Sequence, residues 1–278
     1  MTLAPTDRVA EAIDLLATRP LVVLTGAGLS TDSGIPDYRG PGSTARAPMT
    51  YQEFVATPEA QQRYWARSHL GWQRMGRAVP NDGHRALAAL DPGLELLITQ
   101  NVDGLHEAAG SRRLVALHGR VADVVCLSCR ATSSRADLER VLDELNPGWL
   151  ERHGWVESRP DGDVDLDDTT DFVTPTCGCG GALKPHVVFF GENVPPERVA
   201  RCYAAVEALG TDGALLVAGS SLTVMSGLRF VRRAAQGGTP VVIVNRGTTR
   251  GDPLASHTLD VGCSEFLTRL AGIRAQLS

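Results

Sequence analysis

Lysine is almost absent from this sequence: Lys184 stands alone against 26 arginines. A bias that complete fits a GC-rich coding sequence rather than a chemical demand. No apolar run approaches the ~18 to 20 residues of a membrane-spanning helix. The N-terminus, MTLAPTDRVAEAIDLLATRP, lacks the basic start and apolar run of a secretory signal and is too acidic for a transit peptide. A cytoplasmic enzyme without a membrane partner is therefore expected. Excess positive charge is missing as well. The net charge is -5, and Glu157 to Asp171 holds seven acids against Arg159, so the remaining chain is near +1. That leaves no electropositive footprint for nucleic acid, and the acidic stretch reads as a solvated loop. Six cysteines without a secretion signal argue against a disulfide framework.

What is present is the material of a globular protein, 278 residues with 43% hydrophobic and 21% charged residues. Short runs rich in Val, Leu and Ile recur at Leu21–Leu24, Leu94–Ile98, Leu114–Leu117, Val187–Phe190, Ala214–Ala218 and Val241–Val244. Their continuous apolar character predicts strands buried on both faces of a parallel sheet. Helical patterns lie between several of them: one capped by Thr6, with Val9, Ile13 and Leu16 at about 3.6-residue spacing, and others over Pro195–Leu209 and Gly227–Ala235. Alternating strand and helix predicts an α/β fold, a doubly wound parallel sheet. The pattern breaks over residues 44–80, which read as a helical insertion, and over 120–186, which read as a small inserted module with little apolar periodicity. The dinucleotide-binding core is then 1–43, 81–119 and 187–278.

The run Leu21-Val-Val-Leu-Thr-Gly-Ala-Gly-Leu-Ser30 is a strand entering a glycine turn. Gly26 and Gly28 let backbone approach a pyrophosphate, with a following helix N-terminus to favour its charge. The dehydrogenase fingerprint is incomplete, because Thr31 stands where a third glycine belongs and Arg46 where an acid belongs. The loop continues through Asp37-Tyr-Arg-Gly40 with small and polar residues, longer than a tight turn needs and suited to a flap over a cofactor.

GAGLSTDSGIPDYRG is similar to the signature loop of the sirtuins. The resemblance continues in order through Thr99–His106 (TQNVDGLH), Leu117–Gly119 (LHG), Lys184–Glu192 (KPHVVFFGE), Gly219–Val224 (GSSLTV) and Val244–Gly247 (VNRG), spanning nearly the whole chain. RYWARSHLGW and LNPGWLERHG further resemble class II sirtuins of the mitochondrial lipoamidase and deacylase type and their bacterial relatives. The resemblance implies a Rossmann-like large domain and a small zinc domain, with NAD and acyl-lysine peptide meeting between them. It assigns Gly26, Ala27, Gly28, Asp37, Tyr38 and Arg39 to the NAD loop, and Gln100, Asn101 and Asp103 to the nicotinamide and its ribose. Gly219, Ser220 and Ser221 fall to phosphate and ribose, and Asn245, Arg246, Gly247 and Cys263 to the adenosine end. It makes His118, with Asn101 and Asp103, catalytic: the histidine takes a proton from a ribose hydroxyl after the acyl oxygen has displaced nicotinamide. An unperturbed imidazole, titrating near pH ~6.5, can do so. Val188, Phe190 and Gly191 would line the tunnel for the acyl-lysine.

Cys126-Leu-Ser-Cys129 and Cys177-Gly-Cys179 are two thiolate pairs suited to a tetrahedral zinc site. The second pair is one residue shorter than the family pattern, which leaves open a site in which His153 or His186 replaces one thiolate, or one that has lost its metal. The zinc would be structural, and Cys202, in a helical pattern, buried and inert.

The implied function is an NAD-dependent protein lysine deacylase whose partners are acylated lysine side chains of proteins. The alternatives are a protein mono-ADP-ribosyltransferase and a non-catalytic NAD-sensing module. No motif sets an oligomeric state. Tyr64-Trp-Ala-Arg67 offers a clue to the acyl group, because residues at i and i+3 share a helix face and the pair is similar to that with which desuccinylating sirtuins read an acidic chain. A surface tyrosine and arginine are the alternative.

Overall fold

The computed structural model describes residues 5–37, 48–153, 164, 166 and 168–277. Six parallel strands form the main sheet: β1 (Leu21–Thr25), β2 (Leu94–Thr99), β3 (Leu114–Ala116), β7 (Ala214–Ala218), β8 (Val241–Val244) and β9 (His257–Leu259), in the order β3-β2-β1-β7-β8-β9. A second sheet of three antiparallel strands joins β5 (Thr132–Ser134), β4 (Gly119–Cys126) and β6 (Leu183–Val187), in that order. The helices are α1 (Pro5–Ala17), α2 (Tyr51–Ala56), α3 (Pro58–Met75), α4 (Asp82–Leu90), α5 (Leu105–Ala108), α6 (Arg135–Leu145), α7 (Trp149–His153), α8 (Pro196–Ala208), α9 (Met225–Gln236) and α10 (Cys263–Leu277).

The apolar strands follow from side chains pointing to alternate faces. On β1, Leu21 and Val23 enter a core with Ile13 and Leu16 of α1, Leu87 of α4 and Phe266 and Leu270 of α10. Val22 and Leu24 enter a second core, on the other face, with Cys202 and Val206 of α8 and Phe230 and Val231 of α9. Both faces are dry, so Leu21–Leu24 are all apolar, and the one polar residue of the strand, Thr25 at its carboxyl end, is buried with its hydroxyl paired. Strands β2 and β7 flank β1, so the chain turns to opposite sides on leaving β1 and β7. The crevice between their carboxyl ends is where an open α/β sheet binds ligands.

The small sheet has its own core. Phe54, Tyr64 and Trp65 of α2 and α3 pack with Val124 of β4, Leu138 and Leu142 of α6, Trp149, Phe172 and Phe189. Helices α2 and α3 thus share one apolar cluster with the module that carries the cysteines.

Four sequence expectations need correction. The first helix begins at Pro5, so Thr6 lies inside it and is not its cap. Val187–Phe190 is not a strand of the parallel sheet. Only Val187 is in a strand, as the last residue of β6, whose antiparallel pairing begins at Leu183; beyond it Val188 donates its N–H to the His118 carbonyl (2.7 Å). The glycine turn enters two single-turn 3-10 helices, Ala27–Leu29 and Thr31–Ser33, rather than an α-helix. Finally, α6 lies in a stretch whose sequence shows little apolar periodicity. Its inward face is Arg135, Leu138, Glu139 and Leu142, correctly spaced but half ionic, which hides it from an apolar pattern. Arg135 is fully buried, pairs with Glu139 and lies over the rings of Trp65 (4.7 Å) and Trp72 (5.2 Å). The acidic stretch falls largely outside the described residues.

Candidate functional site

The carboxyl ends of β1 and β7 meet backbone to backbone. Gly26 donates its N–H to the Ala218 carbonyl (3.1 Å) and Gly28 to the Gly219 carbonyl (2.8 Å). A Cβ on Gly26 would lie 2.7 Å from the Gly219 carbonyl oxygen, and one on Gly219, which has φ +68, would lie 2.3 Å from the Leu29 nitrogen. Glycine is needed here for loop-to-loop contact, so the motif serves the crevice before it serves any ligand. Ser220 is buried and donates to the Gln100 side-chain oxygen at 2.7 Å.

Beyond β2, Asn101 donates its side-chain N–H to the Gly26 carbonyl (3.1 Å) and to the Ser30 hydroxyl (3.0 Å), and Ser30 donates to Asp103 at 2.7 Å. The other Asp103 oxygen accepts the Leu105 N–H at 2.9 Å. Each carboxylate oxygen keeps a further lone pair for a ligand donor. Beneath them Thr25 and Thr99 hydroxyls bond at 2.9 Å, Thr25 also meets His106 Nε2 at 2.9 Å, and Thr99 accepts the Asn101 N–H at 3.1 Å. Asn101 is thereby held from below by a buried polar chain.

His118 follows β3. Its Nδ1 lies 2.9 Å from the Gln100 carbonyl oxygen and its Nε2 2.8 Å from the Ser226 hydroxyl. Burial pushes its pKa down to about 4, opposed by the Gln100 hydrogen bond and assisted by the charge of Arg198. The ring is neutral at pH 7. Burial likewise lowers His84 to about 4 and His106 to about 3, and their rings lie 4.8 Å apart.

These depressions make a pH prediction. The three histidines take up protons near 6.5 when unfolded but stay neutral when folded, so the unfolded chain binds more protons below that value. Stability therefore falls as pH drops from about 6.5 toward 4, by up to about 1.4 kcal/mol per pH unit for each histidine. Urea unfolding midpoints measured across this window should report uptake of more than one proton per chain near about pH 5.5. A flat profile would contradict the three neutral imidazoles.

The remaining sequence candidates sit around this centre. Asp37 lies on the same loop, while Tyr38 and Arg39 lie outside the described residues. Asn245 turns its side chain back onto the Arg246 (2.8 Å) and Gly247 (3.1 Å) carbonyls after β8, and Cys263 is buried with its thiol on the Val244 carbonyl (3.6 Å). Ser221 meets Thr223 at 3.1 Å. Phe190 is 43% exposed, whereas neighbouring Phe189, not singled out from sequence, is the buried ring that packs on Tyr64 at 5.2 Å. Gly191 has φ +82, and a Cβ there would meet Gln52 at 2.4 Å. Tyr64 is buried and Arg67 half-buried, donating from Nε (3.0 Å) and Nη2 (2.8 Å) to the Leu166 carbonyl; they are not a surface pair. Sequence reasoning missed Ser30 and Ser226. Ser30 lies inside the glycine loop and Ser226 two residues past the GSSLTV motif, so neither carries a signal of its own.

The four cysteine sulfurs lie within 4.8 Å of one another, with Cys126 and Cys179 at 3.5 Å and Cys129 and Cys177 at 3.7 Å. Tetrahedral zinc with bonds of about 2.3 Å places thiolates about 3.8 Å apart, so the donor set fits that ion. Two tight turns make this possible despite the short second pair. Arg130 adopts φ 62, and Gly180, with φ 81, donates its N–H to the Cys177 carbonyl at 2.8 Å. Neither His153 nor His186 belongs to the cluster among the described residues. Strand β4 carries Gly119, next to His118, at one end and Cys126 at the other, up to about 23 Å apart at about 3.3 Å per residue. A zinc held by these four thiolates would be structural.

The Sir2 family profile matches residues 26–226. NAD-dependent protein deacetylase 1 of Mycobacterium avium is 53% identical over 267 residues, covering 94% of each chain. The protein of the same name from Streptomyces coelicolor is 54% identical over 273 residues, 96% of this chain and 90% of that one. Among solved structures, a Sir2–p53 peptide–NAD+ complex superposes with TM-score 0.73 at 31% identity over 96% of this chain and 98% of the other. A Sir2 homolog–NAD complex does so with TM-score 0.72 at 30% identity over 97% and 95%. No described helix is long and apolar enough to cross a membrane.

Proposed function

The chain belongs to the Sir2 family, and from that premise we infer that it is an NAD-dependent protein lysine deacylase acting on acylated lysine side chains, with a structural zinc. The observation that carries this reading is the neutral imidazole of His118, clasped between Gln100 just past β2 and Ser226 at the start of α9. A carbonyl can only accept, so the Gln100 contact places the hydrogen on Nδ1 and leaves Nε2 as the proton acceptor. NAD, when bound, supplies the ribosyl group that takes up the acyl chain, with release of nicotinamide. The residues present fit it: close-packed glycine backbones beside the polar side chains of Ser30, Gln100, Asn101, Asp103 and Ser220.

The role of each residue is our proposal. Gly26, Ala27, Gly28, Asp37, Tyr38 and Arg39 belong to the NAD loop, and Gln100, Asn101 and Asp103 surround the nicotinamide and its ribose. Gly219, Ser220 and Ser221 take phosphate and ribose; Asn245, Arg246, Gly247 and Cys263 take the adenosine end. Val188, Phe190 and Gly191 line the path of the acyl-lysine. The NAD-binding domain comprises 1–43, 81–119 and 187–278, with the helical insertion 44–80 and zinc domain 120–186. The class II character rests on RYWARSHLGW and LNPGWLERHG, and the expected location is the cytoplasm. The test is nicotinamide release on mixing with NAD and an acyl-lysine peptide. Release must depend on the acyl group and match the free lysine formed; release independent of the peptide would overturn the reading.

Tyr64 and Arg67 are proposed to read the distal end of the acyl chain. Tyr64 packs on Phe189 of the KPHVVFFGE segment, and that contact supports the proposal. A charge-assisted hydrogen bond from Arg67 to an acyl carboxylate is worth roughly ten- to a hundredfold in specificity. Succinyl-, glutaryl- or branched acidic acyl-lysines should therefore exceed acetyl-lysine in kcat/KM, and Arg67→Met should erase this preference while sparing acetyl turnover. The two efficiencies are measured on one peptide backbone; an unchanged ratio leaves Arg67 as an anchor for the Leu166 carbonyl alone.

A further inference from the structure

His118 is clasped from both sides by one small assembly. The Gln100 carbonyl holds Nδ1, and the Ser226 hydroxyl, 2.8 Å from Nε2, faces the nitrogen that takes the proton. Ser226 lies in the first turn of α9 and is 8% exposed. Its neighbour Gly227 has no room for a side chain, because a Cβ there would fall 2.8 Å from the Gln100 carboxamide. Helix α9 is thus seated on the residue that holds the other ring nitrogen. Since Nδ1 carries the hydrogen, Ser226 donates its hydroxyl to the Nε2 lone pair of the neutral ring. No other side-chain partner of this nitrogen is present among the described residues.

We propose that Ser226 is a positioning residue for the base, holding Nε2 in line while the ring is neutral and accepting from Nε2–H once the ring is charged. This rests on the reading of His118 as the base. The Nε2 lone pair takes one hydrogen at a time, so the Ser226 hydroxyl first rotates its hydrogen away, and the proton that leaves the substrate hydroxyl then ends on Nε2. The Ser226 O–H bond stays intact throughout, and its oxygen then accepts from Nε2–H. A hydrogen bond to a charged partner is about twice as strong as one between neutral groups. The hydroxyl therefore supports the imidazolium more than the imidazole and makes His118 a better base inside a site whose burial disfavours charge. Arg198 of α8 is the charged group that acts on the ring, and it is untouched by changes at Ser226.

Ser226→Ala should lower kcat by roughly tenfold, the worth of one such bond, with KM for NAD within about twofold. Ser226→Thr, which keeps the hydroxyl, should restore it. A second readout needs no cofactor. In the free, 15N-histidine-labelled protein at neutral pH, the Nε2 resonance of His118 should move to higher frequency in Ser226→Ala, as its hydrogen bond is lost, and return in Ser226→Thr. An unmoved resonance, or a wild-type kcat in Ser226→Ala alongside an inactive His118→Ala, would overturn the role of Ser226 alone. Turnover in His118→Ala would instead overturn the base itself.

Discussion

Replacing His118 by alanine should abolish deacylation while NAD still binds. General-base catalysis contributes on the order of a hundred- to ten-thousandfold, and two other imidazoles of the core are already engaged. His84 and His106 are buried, with His106 spent on Thr25 and His84 on Asn81. The substitution leaves the cofactor crevice intact, because the Gly26–Ala218 and Gly28–Gly219 contacts and the Asn101–Ser30–Asp103 chain do not pass through His118. Stopped assays give the turnover and calorimetry the NAD affinity. Turnover within about threefold of the wild type would remove His118 from the chemistry. Loss of NAD binding would move its role to the cofactor.

The second large effect is on folding. The protein should hold one zinc per chain, and Cys126→Ser or Cys179→Ser should unfold the small module. Structural zinc contributes about 10 to 16 kcal/mol of apparent binding free energy, more than most domains have to spare. The consequence reaches beyond the thiolates. The cysteine turns fasten the end of β4 to the start of β6, since Cys126 pairs with Leu183 and Leu127 donates to the Ala182 carbonyl. The core between this sheet and α2, α3 and α6 depends on that register. Trp65 and Trp149 are 1% exposed in that core, so chelation of the metal should shift tryptophan fluorescence to the red. Metal analysis of the purified protein decides the stoichiometry. A metal-free protein with the native emission spectrum would show that the module stands without zinc.

The main sheet was legible because its physics is simple. A strand covered on both faces must be apolar throughout, and Leu21–Leu24, Ala214–Ala218 and Val241–Val244 are. The glycine loop was legible because its glycines are sterically required, although the sequence could not show that Gly219 stands against them. The cysteine site was legible from thiolate pairing, and the short second pair was reconciled by a left-handed glycine. What escaped detection was polar and long-range. Helix α6 was hidden because Arg135 and Glu139 occupy core positions as a pair. The segment after β6 was read as a parallel strand because Val188 and Phe189 are apolar, yet it bends away to face His118 and Tyr64. Ser226 is 108 residues from His118, and nothing local to it distinguishes it from any serine in a first helical turn.

The central claim is acyl transfer to an NAD-derived ribose, and the products report on it directly. The purified zinc-loaded protein is incubated with NAD and a library of acyl-lysine peptides, and all species are followed by mass spectrometry. The account predicts equal amounts of nicotinamide, free-lysine peptide and O-acyl-ADP-ribose. Nicotinamide accompanied by an ADP-ribosylated protein, with the acyl-lysine peptides intact, would contradict it.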